Sequence, residues 1–149
     1  TEIYTLSLHD ALPISGRSCR FGDFLVRTVA VNHTVETMGY FIEMKKKAVL
    51  FLGDTGPTEK VWRMAKAHRG LRAIFVETSL PDAMTDVADK TGHLTPQGLA
   101  AELQKLSGAK PDIYLYHMKP WFHEAIREEV KAISDRKIHI VEDGQVIRL

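Results

Sequence analysis

The sequence predicts an α/β protein, a mixed sheet flanked by helices. Two observations carry that reading. Residues 23–31 (DFLVRTVAV), 38–44 (MGYFIEM) and 48–52 (AVLFL) are short β-branched or apolar runs with brief breaks between them, as in consecutive strands. From residue 58 onward, segments with helical spacing alternate with short apolar runs, the order that gives αβ units and a layered sheet.

The elements follow in chain order. The first strand stops at Asn32-His33-Thr34. The second leads through Lys45-Lys46-Lys47, read as a solvated hairpin tip, into the third. Pro57 suits the first turn of a helix, where its missing N–H costs nothing. Residues 58–68 set Val61, Trp62 and Ala65 on one face, and Gly70 ends that helix. Residues 71–76 form a fourth strand and 81–90 a weak helix. Thr95-Pro96 reads as an N-cap followed by Pro at the first helical position, with Leu99, Leu103 and Leu106 as the apolar stripe and Gly108 as the stop. Residues 113–116 are a fifth strand. Residues 121–133 are a helix with Phe122, Ile126, Val130 and Ile133 on one face. Residues 138–141 and 145–147 flank Glu142-Asp143-Gly144, a hairpin signal.

Composition narrows the function classes. A length of 149 residues fits one domain or half of a larger one. Lys plus Arg is 20 against 19 for Asp plus Glu, which argues against a nucleic-acid partner held by bulk charge. Cys19 stands alone, so no internal disulfide forms, and a reducing, cytoplasmic location is the natural expectation. No apolar run approaches the ~20 residues of a membrane span, and no secretory signal pattern opens the chain. Residues 1–19 read as a non-native or disordered stretch, similar to translated adapter sequence, with a short element over residues 3–12 as the alternative. Residues 20–149 read as the domain, and the natural protein is expected to extend upstream.

Three residues share one placement. His33, Asp54 and His117 each follow a strand, and Gly53 and Gly56 let the chain turn sharply around Asp54. Strand ends in an α/β layer can converge on one sheet edge. Two imidazoles and a carboxylate are a suitable donor set for zinc or a similar ion. Taken singly, each also reads as a surface or capping residue, and Asp54 as a cap for the helix after Pro57.

Longer stretches carry a resemblance. Residues 32–40 (NHTVETMGY) and 53–57 (GDTGP) look like the second half of a metallo-β-lactamase-fold hydrolase. With residues 77–79 (ETS), 92–96 (GHLTP) and 116–120 (YHMKP), the pattern over roughly residues 25–135 resembles the class II cyclic-nucleotide phosphodiesterases of that superfamily. The family pattern H-x-H-x-D-H is absent from the sequence, and His9-Asp10 is its nearest echo. The chain therefore resembles a C-terminal half of an αβ/βα sandwich.

The resemblance implies two divalent ions, zinc with manganese or iron as alternatives, one held by His33 and Asp54 and the other by His117 and Asp54. That is fewer than the three protein ligands a catalytic zinc keeps. It implies hydrolysis of a small cyclic nucleotide, cAMP or cGMP, by a metal-activated water. His93 becomes the proton donor to the leaving oxygen or a phosphate hydrogen-bond partner, and Glu77 its orienter. Thr55 would hold Asp54, and Lys119 would contact phosphate. For His93 the competing reading is a helix-cap element, for Glu77 a strand-end acid, for Lys119 a solvated cation. His68, His123 and His139 read as structural. Two further functions compete: a tRNase Z-like RNA-processing endonuclease, and an inactive fragment with vestigial metal binding. Half of a sandwich would also bare the sheet face meant for its partner, so aggregation or a homodimer is expected.

Overall fold

The computed structural model describes residues 15–148. The element over residues 3–12 and the His9-Asp10 echo lie outside the described residues. Among the described residues, seven strands form one sheet in sequence order. They are β1 (Ser18–Phe21), β2 (Phe24–Ala30), β3 (Met38–Met44), β4 (Lys47–Phe51), β5 (Leu71–Glu77), β6 (Asp112–Tyr116) and β7 (Ile138–Ile140). The pairs from β1 to β4 are antiparallel, and those from β4 to β7 are parallel. Four helices serve the parallel half: α1 (Lys60–Ala67), α2 (Thr85–Thr91), α3 (Pro96–Gln104) and α4 (His123–Glu129).

Parallel neighbours need a crossover, and here the strands always step in the same direction, so the crossovers gather on one face. Val29, Phe41, Leu50, Ile74, Val76, Ile113 and Leu115 of the sheet form one core with Trp62 and Ala65 of α1, Leu99 and Leu103 of α3, and Ile126 of α4. Strand alternation puts the remaining residues on the other face. There Phe51, Phe75, Tyr114 and His139 stack in a row across four strands, with ring centroids 4.2, 4.9 and 4.7 Å apart. Phe24 pairs with Met44 on that same face, and both are exposed.

The N-cap at Thr95 forms as the sequence predicts. Its hydroxyl oxygen accepts from the Gly98 N–H at 3.2 Å, and Pro96 opens α3. Four expectations need correction. Helix α1 begins at Lys60, not at Pro57, because residues 53–57 are used to shape the Asp54 loop. The helix expected over residues 121–133 is α4 with a 3₁₀ turn at each end, Pro120–Phe122 and Val130–Ala132. The expected hairpin after Ile138 does not form: β7 pairs in parallel with β6, Gln145 N–H closes a turn on Glu142 O at 3.1 Å, and Val146 is left exposed. Strand β1 has no counterpart in the sequence reading. It is four exposed residues, too short and irregular to show a period, and it starts just ahead of the boundary placed at residue 20.

Candidate active site

Strand direction assembles the site. β2 and β4 are each antiparallel to β3, and β4 through β7 run parallel. The C-terminal ends of β2, β4, β5, β6 and β7 therefore share one edge. His33 follows β2, Asp54 follows β4, Glu77 closes β5 and His117 follows β6. The loop from α2 to α3 carries His93 to the same place.

The structure sets His33, Asp54, Glu77, His93 and His117 near one another at this edge. His117 Nε2 lies 3.6 Å from Asp54 Oδ1. The His93 ring is 5.0 Å from that of His33 and 6.0 Å from that of His117, centroid to centroid. His33 Nδ1 stands 2.8 Å from the Gly92 carbonyl. A carbonyl only accepts, so the proton sits on Nδ1 and Nε2 keeps its lone pair. His93 Nδ1 likewise donates to Glu77 Oε1, at 2.8 Å, which leaves its Nε2 free to face the site.

Glu77 does more than orient His93. It is fully buried, an unfavourable place for a carboxylate without donors. Besides His93, its Oε1 accepts from the Thr55 N–H at 3.3 Å and the Leu94 N–H at 3.2 Å, and its Oε2 accepts from the Ser79 hydroxyl at 2.7 Å. One buried charge thus ties the Asp54 loop to the His93 loop. Thr55 is fully buried as well, and its hydroxyl donates to Gly56 O at 2.8 Å. It shapes the Asp54 turn through the main chain and lies too deep to meet a phosphate. Gly53 gives that turn its left-handed residue, φ 66°. Lys119 is exposed at the rim.

Three nearby residues escaped the sequence reading in this role. Tyr116 lines the same edge beside His117, and burial with the charges of Asp54 and Glu77 pushes its phenol up to about 12, against a hydrogen bond to the Gly53 main chain. A cavity of about 500 Å³ opens next to His117, walled by Tyr116, Met118, His123, Glu142 and Asp143. His123, expected to be purely structural, therefore faces the site. Ser79 is the third. The direction of β7 was the signal that could have placed Glu142 and Asp143 here, and the hairpin reading hid it.

The donors suit a divalent ion in type and in tautomer. Asp54 and His117 stand about as far apart as two donors to one ion, and His33 offers a free Nε2. Among the described residues, however, no group of three or more His, Cys, Asp or Glu converges closely enough to hold an ion. The fit is therefore that of part of a metal site.

Residues 6–118 match the beta-lactamase superfamily domain, and the chain belongs to that superfamily. Among solved structures it is similar to the metallo-beta-lactamase fold protein YhfI from Bacillus subtilis, with a TM-score of 0.72 and 15% identity over 87% of this chain and 51% of that one. It is similar to the short form of human tRNase Z, with a TM-score of 0.65 and 25% identity over 87% of this chain and 45% of that one. It is also similar to Zn²⁺-bound PqqB from Methylobacterium extorquens, with a TM-score of 0.64 and 19% identity over 91% of this chain and 51% of that one. The chain thus spans about half the length of these structures. No curated protein matches it. Among the described residues no helix is long and apolar enough to cross a membrane.

Proposed function

We propose that the protein this chain represents is a metal-dependent phosphodiesterase that hydrolyses 3′,5′-cyclic nucleotides in the cytoplasm. The observation that carries the reading is the gathering of His33, Asp54, His93 and His117 at one sheet edge, with His93 backed by a buried carboxylate. His33, Asp54 and His117 are the residues that would hold divalent ions, and zinc is the first choice because the similar PqqB is a zinc-bound structure. Bound ions supply an activated water at neutral pH. As the P–O bond to the ribose breaks, the leaving oxygen takes a proton from Nε2 of protonated His93. Nδ1–H stays on Glu77, whose charge stabilises the imidazolium. Lys119, at the rim, can meet the phosphate from outside.

A second reading has its own support. The likeness to human tRNase Z, 25% identical over 87% of this chain, favours an RNA phosphodiester as substrate. The same residues would serve both reactions, so the substrate must be tested directly.

The first test is metal content by elemental analysis of the purified chain, beside Asp54→Ala. Stoichiometric metal in the wild type that vanishes in the variant is expected. Metal-free protein in both cases overturns the site for this chain on its own. Hydrolysis of cAMP, cGMP and a precursor tRNA by the parent protein then separates the two readings.

A further inference from the structure

We propose that Ser79 is a positioning residue that locks the Glu77–His93 pair and the His117 loop into one geometry. The inference rests on the reading above only in that it takes His93 and His117 as the working groups.

Ser79 is fully buried at the end of β5. Its Oγ lies 2.7 Å from Glu77 Oε2, 3.2 Å from the His117 carbonyl and 3.4 Å from His93 Nδ1. Its main chain reaches the same two loops, with Ser79 N–H donating to Leu94 O at 3.1 Å and Ser79 O accepting from Lys119 N–H at 3.4 Å. One residue thus touches three of the segments that meet at the edge: the end of β5, the His93 loop and the His117 loop.

The hydroxyl has a single proton, and its shortest contact is the carboxylate oxygen Oε2. That bond pins the carboxylate so that Oε1 faces His93, Thr55 and Leu94. His93 is then held with its proton on Nδ1 and with Nε2 open to the site. The second half of the device concerns His117, which adopts a left-handed backbone, φ 62°, rare for a residue with a side chain. Such a conformation persists only where the surroundings fix it. Thr78 N–H holds Tyr116 O at 3.2 Å on one side, and the Ser79 carbonyl accepts from Lys119 N–H at 3.4 Å on the other, with Ser79 Oγ packed 3.2 Å from His117 O. A serine that merely filled space would tolerate alanine.

The test reads which ring nitrogen of His93 carries the proton, by long-range ¹H–¹⁵N NMR on histidine-labelled, metal-free chain at a pH where the imidazole is neutral. The wild type is expected to show the Nδ1–H form. Ser79→Ala should give a mixture with Nε2–H, and Ser79→Thr, which keeps the hydroxyl, should restore the wild-type pattern. In a chelator competition Ser79→Ala should weaken zinc binding about 10-fold, the lower end of what lost support of a ligand costs. An unchanged His93 tautomer in Ser79→Ala overturns the proposal, even if the protein melts earlier. If the alanine variant does not fold, Ser79→Val has the shape of the threonine variant without its donor, and a wild-type tautomer there overturns it equally. The tautomer readout needs no metal and no substrate. A chain that binds no zinc thus counts against the metal site, while the NMR result still decides the role of Ser79.

Discussion

Gly92 marks how tightly the site is drawn together. Its φ is 71°, and a Cβ there would stand 3.0 Å from His33 Nδ1 and 3.1 Å from Thr34 N. Its own carbonyl is the acceptor that orients His33. Gly92→Ala therefore meets two penalties at once, a left-handed alanine and a displaced imidazole. The expected loss is about 1–3 kcal/mol of stability by urea denaturation, together with weaker zinc binding. Unchanged metal affinity in a folded Gly92→Ala would show that the Gly92 carbonyl does not set the His33 ring. At this scale the sequence singled out the candidate groups and hid their supports. His33, Asp54, Glu77, His93 and His117 sit at strand ends or in recognisable stretches. The Gly92–His33 contact and the reach of Ser79 join segments far apart in the chain, and no local pattern announces them.

Between elements, a second buried acid does for α1 what Glu77 does for the site. Helix α1 has no side-chain cap of its own. Glu102, buried on α3, accepts from the Thr58 N–H at 2.9 Å and the Trp62 indole N–H at 2.5 Å. Lys105 balances the charge, with Nζ 2.6 Å from Glu102 Oε1 and 2.7 Å from Glu59 Oε1. Burial, the largest single influence, would lower the Lys105 pKa, but the hydrogen bonds to Glu102 and Glu59 and the charges of both acids together hold it above the usual lysine value. A raised lysine stabilises the fold fully below its unfolded pKa of about 10.4, and that contribution fades as pH climbs through the higher folded value. Lys105→Met should therefore cost about 1–3 kcal/mol at pH 7. Thermal melts of the variant should also lose less stability than the wild type above about pH 10.4. A wild-type melting curve at neutral pH would mean that Glu102 is satisfied without the lysine. From sequence, α3 was legible through its cap and leucine stripe. The role of Glu102 was not, because a mid-helix glutamate reads as a surface residue until the neighbouring helix is in place.

For the whole molecule, the order of strands and helices was readable because each apolar run is short and each break carries Gly, Pro or a polar cluster. Strand direction was less readable. The Glu142-Asp143-Gly144 turn signal pointed to a hairpin, yet β7 lies parallel to β6, since α4 has already carried the chain back across the core face. Among the described residues, no helix of the core packs on the opposite face of the sheet. Phe51, Phe75 and Tyr114 stack along it, and Phe24 and Met44 face each other at 45% and 41% exposure. An exposed apolar pair beside a half-buried aromatic row favours association. The chain alone is therefore expected to self-associate in a concentration-dependent way by sedimentation velocity. Phe24→Lys with Met44→Glu keeps the β2–β3 pairing while placing a charged cross-strand pair on that face. The double variant should shift the population toward monomer and leave the circular dichroism unchanged. A wild type that stays monomeric at all concentrations would mean that the aromatic row is satisfied by its own stacking, and that the face needs no cover.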